Sequence, residues 1–138
     1  PGSKGNYVLL SKWAGKLPIF TTILGAKSVI YIENLSECIR LLIEQENRGI
    51  FFPQNRTYAS SAEFVAQIRK AHGKKLCQCS FLNPFVRLAA CLPGRIGKVF
   101  RKVFGTVIYD IDMSKAPGNY QVVGFEESIF RSERKVIS

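Results

Sequence analysis

Apolar and polar positions change rhythm several times along this chain, and each change marks an element. In "KSVIYIENLSECIRLLIEQ", residues 27–45, the run from Lys27 to Glu33 is β-branched and aromatic, whereas Leu35, Cys38, Ile39 and Leu42 recur at helical spacing. The first half is read as a buried strand over 27–33 and the second as an amphipathic helix over 35–45. Asn34 suits the N-cap of that helix, with Glu37 three residues later. A strand that feeds directly into a helix belongs to a layered α/β arrangement.

The same rhythm predicts the remaining elements. "PGSKGN" reads as a loop, Tyr7 to Ala14 as a short helix closed near Gly15, and Pro18 to Phe20 as an extended segment. "IFFPQN" predicts a short strand that Pro53 ends or confines to an edge. Ser60 and Glu63 form a capping box ahead of "FVAQIRKAHG", where Phe64, Ile68 and Ala71 share a face and Gly73 is the stop. "KLCQCSF" predicts a strand. Asn83 and Pro84 then serve as N-cap and first residue of a helix to Leu92, broken by Pro93-Gly94. "TVIYDID" is the last strand candidate, and "FEESIFRSERK" a terminal helix whose Glu126 and Glu127 suit its positive dipole end.

Arg95 to Phe104, "RIGKVFRKVF", separates into two faces. Ile96, Val99, Phe100, Val103 and Phe104 lie on one, and Arg95, Lys98, Arg101 and Lys102 on the other. Gly97 weakens this helix. A solvated basic face, a phosphate site and a membrane-surface helix all fit the segment.

Composition narrows the class. A hydrophobic content of 46% excludes disorder, and without repeat or linker the chain reads as one unit, 1–138. The formal charge of +10 implies a surface that attracts anions, whether phosphate, nucleic acid or anionic lipid. Cys38, Cys77, Cys79 and Cys91 fit a reducing compartment. With no leader pattern at the start, the expected location is cytoplasmic. The cysteines lack zinc-ligand spacing, so they read as small apolar thiols.

Catalytic chemistry is missing from the pattern. His72 is the single histidine, without a nucleophile arranged beside it, and neither a P-loop nor a GxGxxG fingerprint occurs. The residues alone describe a binding part rather than a reacting part.

Taken in order, "PGSKGNYVLLSKWAGKLPIF", "KSVIYIENLSECIRLL", "SSAEFVAQIRKAHGKK", "VFGTVIYDIDMSK" and "FEESI" carry a resemblance over nearly the whole chain. The chain resembles the C-terminal part of the extended short-chain dehydrogenases, within them the NAD-dependent epimerase/dehydratase family acting on nucleotide sugars. The UDP-glucose 4-epimerase-like proteins and the sugar 4-keto reductases of surface polysaccharide pathways are the nearest branch. The most specific piece is Lys27 to Leu35, followed at the family's distance by "DMSK", Asp112 to Lys115.

The resemblance implies an α/β fold, α+β when isolated, with short strands and four to six helices. It implies that a Rossmann half with the Gly-rich loop and a Tyr-x-x-x-Lys pair precedes Pro1. NAD or NADP would serve the parent protein, and this part alone would bind no cofactor and perform no catalysis. Its expected ligand is a UDP-sugar, held through diphosphate and uracil contacts. Asn6 falls at a phosphate-contacting asparagine, and Pro18 to Phe20 at the extended segment whose backbone meets the uracil edge. Lys27 replaces the usual diphosphate-clamping arginine, offering a point charge instead of a planar fork. Arg101 and Lys102 stand about where a second phosphate arginine occurs. Asp112 is more often structural in the family, and Glu33 replaces an acidic family position. Without the other half, Ile30, Ile32, Leu35, Ile39 and Leu42 would lose cover, and a homo-oligomer would hide them. A basic module for nucleic acid or anionic membrane is the alternative. The lack of interleaved exposed aromatics weighs against single-strand nucleic acid, while a peripheral membrane contact stays open.

Overall fold

The computed structural model describes residues 6–23, 25–114 and 118–137. Helices dominate: α1 (Asn6–Lys16), α2 (Ile32–Glu44), α3 (Ser61–Ala71), α4 (Asn83–Cys91), α5 (Gly94–Phe104) and α6 (Phe125–Ile137). The strands are two or three residues long: β1 (Ile19–Thr21), β2 (Ala26–Lys27), β3 (Ala59–Ser60) and β4 (Cys77–Cys79). β1 and β4 pair in parallel, Phe20 opposite Gln78, and β2 and β3 pair antiparallel, Lys27 opposite Ala59. The result is a small mixed domain of α+β character.

The core forms where α3 lies between α1 and α6. Val65 and Ile68 of α3 are wholly buried, with Leu10 and Ala14 of α1, Ile129 of α6 and Val103 and Phe104 of α5 around them. Helix α3 begins as its sequence dictates. The Ser60 hydroxyl accepts from the Glu63 amide, and the Glu63 carboxylate accepts from the Ser60 amide. Beyond its end, Gly73 takes φ +66°, the left-handed turn that favours glycine.

Three predicted strands do not form as such, and polar side chains are the reason. The run predicted over 27–33 pairs in β2 only as far as Lys27. Beyond it, backbone pairing gives one bond on each side, Ser28 amide to Val107 carbonyl and Asn55 amide to Val29 carbonyl, and the Tyr31 amide then donates to the Asn55 side chain. Helix α2 then starts at Ile32 with Tyr31 as its N-cap residue. Asn34 is therefore inside the first turn and not at the cap. In the "IFFPQN" segment, the Tyr120 hydroxyl accepts from the Gln54 amide and donates to the Gln54 carbonyl, where a neighbouring strand would have bonded. In "TVIYDID", Val107 alone bridges to Lys27, because the next amide, of Tyr109, donates to the Ser28 hydroxyl.

One further helix start and one face also differ in detail. Asn83 lies inside α4, after a 3₁₀ turn at Ser80–Leu82, and its side-chain oxygen accepts from the Thr21 hydroxyl at 2.6 Å, joining α4 to β1. On α5, Val103 and Phe104 are buried and Phe100 half-buried, while Ile96 and Val99 face solvent. Gly97 has a purpose that propensity alone missed. It is buried where a Cβ would collide with the Leu92 carbonyl, so the tight corner between α4 and α5 requires glycine.

Candidate ligand-binding surface

Distant segments meet at one corner beside the end of α5. Phe20 packs against Phe104 and Trp13, with ring centroids 5.7 and 6.4 Å apart. Gly25 backs onto the carbonyls of Phe104 and Gly105, which leave no room for a Cβ. Lys27 is buried, and its Nζ donates to the Ser61 hydroxyl at 2.9 Å and to the Val103 carbonyl. That carbonyl belongs to the last turn of α5, the negative end of the helix dipole, where an ammonium is favoured. Burial nonetheless pushes the Lys27 pKa below that of an ordinary lysine.

The residues read from the sequence as ligand contacts fall unevenly around this corner. Phe20 and Lys27 are inside it, and Lys27 points inward to α3 and α5 rather than outward. The Pro18 carbonyl accepts from the Cys77 amide at 2.9 Å, so β4 occupies part of that backbone edge. Arg101 is exposed one turn before the corner, and its guanidinium donates to the Ala90 carbonyl across the α4–α5 turn. Lys102 is exposed on the same turn. Asn6 opens α1, but its side chain lies outside the described residues, as does Lys115. Asp112 sits exposed in a 3₁₀ turn, and Glu33 accepts from Arg131 and Tyr31 at the start of α2.

Two polar constellations were not singled out by sequence reasoning. The first joins the loops at 51–58 and 118–124. Buried Asn34 donates to the Asn55 side chain and the Val123 carbonyl, and accepts from the Val123 amide. Beside it runs a groove of about 500 Å³ lined in part by Asn55, Arg56, Asn119 and Gln121, with Arg56 donating to Asn119 at 3.0 Å. The amides recur in "PQN" and "NYQ", but no periodicity marks them as partners.

The second surrounds Glu133 of α6, buried and bonded to Tyr7 at 2.5 Å, Ser11 at 3.3 Å and His72 Nε2 at 2.7 Å. Burial and the neighbouring carboxylate push the Tyr7 pKa well above the usual phenol. Tyr7 thus stays a donor near neutral pH and cannot serve as a base. The cluster clasps α1, α3 and α6 and has no activated nucleophile. On β4, the sulfurs of Cys77 and Cys79 lie 3.4 Å apart, both as free thiols. Among the described residues, no group of three or more His, Cys, Asp or Glu could hold a metal ion.

A third surface is apolar and basic. The outer sides of α4 and α5 expose Phe85, Leu88, Ile96 and Val99, with Phe81 and Leu92 at the preceding turn and the corner. No helix among the described residues is long and apolar enough to cross a membrane.

No family model, no curated protein and no solved structure matches the chain. Two of the described strand-to-helix turns lack the glycine-rich loop of a dinucleotide fold. Residues 28–31 lead into α2 without a glycine, and β3 passes directly into the Ser60 cap of α3.

Proposed function

We propose that this chain is the sugar-nucleotide-gripping part of an NAD(P)-dependent epimerase/dehydratase, acting with a dinucleotide-binding half. The reading rests on the family resemblance, and one spatial observation supports it. Of the residues that the resemblance assigns to one ligand, Phe20 packs on Phe104 and buried Lys27 bonds to Val103, 76 residues away, at the end of the helix that carries Arg101 and Lys102; Asn6 is at the start of α1.

In this reading the chain positions rather than reacts. Exposed Arg101 and Lys102 attract the diphosphate, and Lys27 supplies a charge at the inner edge of the corner. The segment at β1 offers backbone to the base. Fixing the nucleotide at this distance orients the sugar toward the hydride carrier on the other half, the use of remote binding energy that raises rate. Hydride transfer is the chemistry that the cofactor supplies.

Calorimetry with uridine diphosphate and a UDP-sugar tests the proposal. Saturable binding is expected, unaffected by duplex DNA and at least tenfold weaker in a Lys27→Met, Arg101→Met variant. Absence of binding to both ligands, or unchanged affinity in that variant, would overturn it.

A further inference from the structure

The outward side of the α4–α5 hairpin has no function in the reading above. On α4, Phe85 and Leu88 are each 66% exposed, three residues apart on one side. On α5, Ile96 is 59% exposed and Val99 continues the stripe one turn later. The hairpin's other apolar side chains, Val86, Phe100, Val103 and Phe104, already pack on the core. Two apolar stripes therefore run along this element, and the core uses only one.

Charge selects the occupant. From Phe64 to Tyr109 the chain carries nine Lys and Arg and no Asp or Glu. Arg87, Arg95 and Lys98 are exposed, and none forms an ion pair among the described residues. The exposed apolar face on α2 at Ile32, Ile39 and Ile43 is different, since Glu33, Glu37 and Glu44 stand among those residues and the cations there, Arg40 and Arg131, are already paired with them. Anionic lipid finds its attraction at the hairpin, where Arg87, Arg95 and Lys98 are exposed and outside any ion pair among the described residues, and not at the α2 face. Aliphatic and phenylalanine side chains bounded by cations match the acyl–headgroup boundary, where a surface helix sinks its apolar side by about 5–10 Å. A nucleic-acid backbone would use the cations and leave Leu88, Ile96 and Val99 without a partner.

We infer that the α4–α5 hairpin is a peripheral docking surface for an anionic lipid bilayer, with Phe85, Leu88, Ile96 and Val99 entering the interface and Arg87, Arg95 and Lys98 contacting headgroups. The Gly97 corner and the Arg101 bond to Ala90 hold the two helices at a fixed angle, so the surface is formed before contact.

Flotation of the 138-residue chain with phosphatidylcholine vesicles, with and without phosphatidylserine, tests this. The chain is expected to float with phosphatidylserine vesicles, to remain behind with pure phosphatidylcholine, and to dissociate as salt rises. A Phe85→Ser, Leu88→Ser variant should bind at least tenfold more weakly, and Arg95→Glu, Lys98→Glu should erase the preference for phosphatidylserine. All four positions are exposed, and Trp13 fluorescence with thermal unfolding checks that each variant is folded. Failure to float, equal binding to neutral vesicles, or unchanged binding by either variant would overturn the inference. So would a dimer in sedimentation that the serine variant abolishes, or tighter association with duplex DNA than with the vesicles.

Discussion

Tyr7 and Asn34 show how much a single polar side chain contributes here. Tyr7 donates to buried Glu133, and its ionisation in the folded chain is pushed to higher pH by burial and by that carboxylate. The unfolded chain releases the phenolic proton near the ordinary value of 10.0. Below that pH both states keep the proton and the whole contribution is present. Above it the unfolded state alone loses the proton, so stability falls as pH rises. Urea midpoints should decline from about pH 10 upward, and Tyr7→Phe should decline less steeply while starting lower by about 1 kcal/mol. Parallel pH profiles would refute this assignment. Asn34 presents a different case. Replacing it with Leu keeps a similar volume but strands the amide and carbonyl of Val123 and leaves the Asn55 side-chain oxygen with the Tyr31 amide alone of its two donors. A loss of about 2–3 kcal/mol is expected from denaturant unfolding.

Among the elements, those with local signals were legible from the sequence. Ser60 and Glu63 announced α3, and Ser60→Ala should lower stability by about 1 kcal/mol, read as a shift in thermal midpoint. Gly73 and the Pro93-Gly94 pair marked the ends that the structure has. The strands were harder to read, because β propensity at Val29, Ile30 and Ile108 describes a pleated surface without saying what the backbone bonds to. Ser28, Gln54 and Tyr120 replace ladder partners with side chains, and such substitution leaves no periodic trace. Asn34 illustrates the same limit. As a residue type it suits a cap, yet its partners are 21 and 89 residues away. The corner at α5 was visible only as separate positions, and the inward direction of Lys27 depends on Ser61 and Val103, which no local pattern connects.

At the scale of the molecule, the exposed side of α2 is the feature with a measurable outcome. Ile32 is 62%, Ile39 48% and Ile43 71% exposed, more apolar surface than one amphipathic helix ordinarily leaves to water. A covering partner is the expected remedy, and a second copy of the chain is the one tested most directly. Sedimentation velocity of this chain alone should show concentration-dependent association that Ile39→Lys with Ile43→Lys removes, with thermal stability unchanged within about 0.5 kcal/mol. A monomer at every concentration would count against a second copy on this face.

The clasp around Glu133 also sets an order of events in the cell. Tyr7 and Glu133 are 126 residues apart, so this clasp closes only once α6 has been synthesised, although α1 meets Val65, Ile68 and Arg69 of α3 well before that. At roughly 5–20 residues per second, the clasp waits on the order of ten seconds after α1 emerges. Throughout that interval Tyr7, Ser11 and His72 lack their shared carboxylate, and ribosome stalling before residue 125 would leave a nascent chain without this tie.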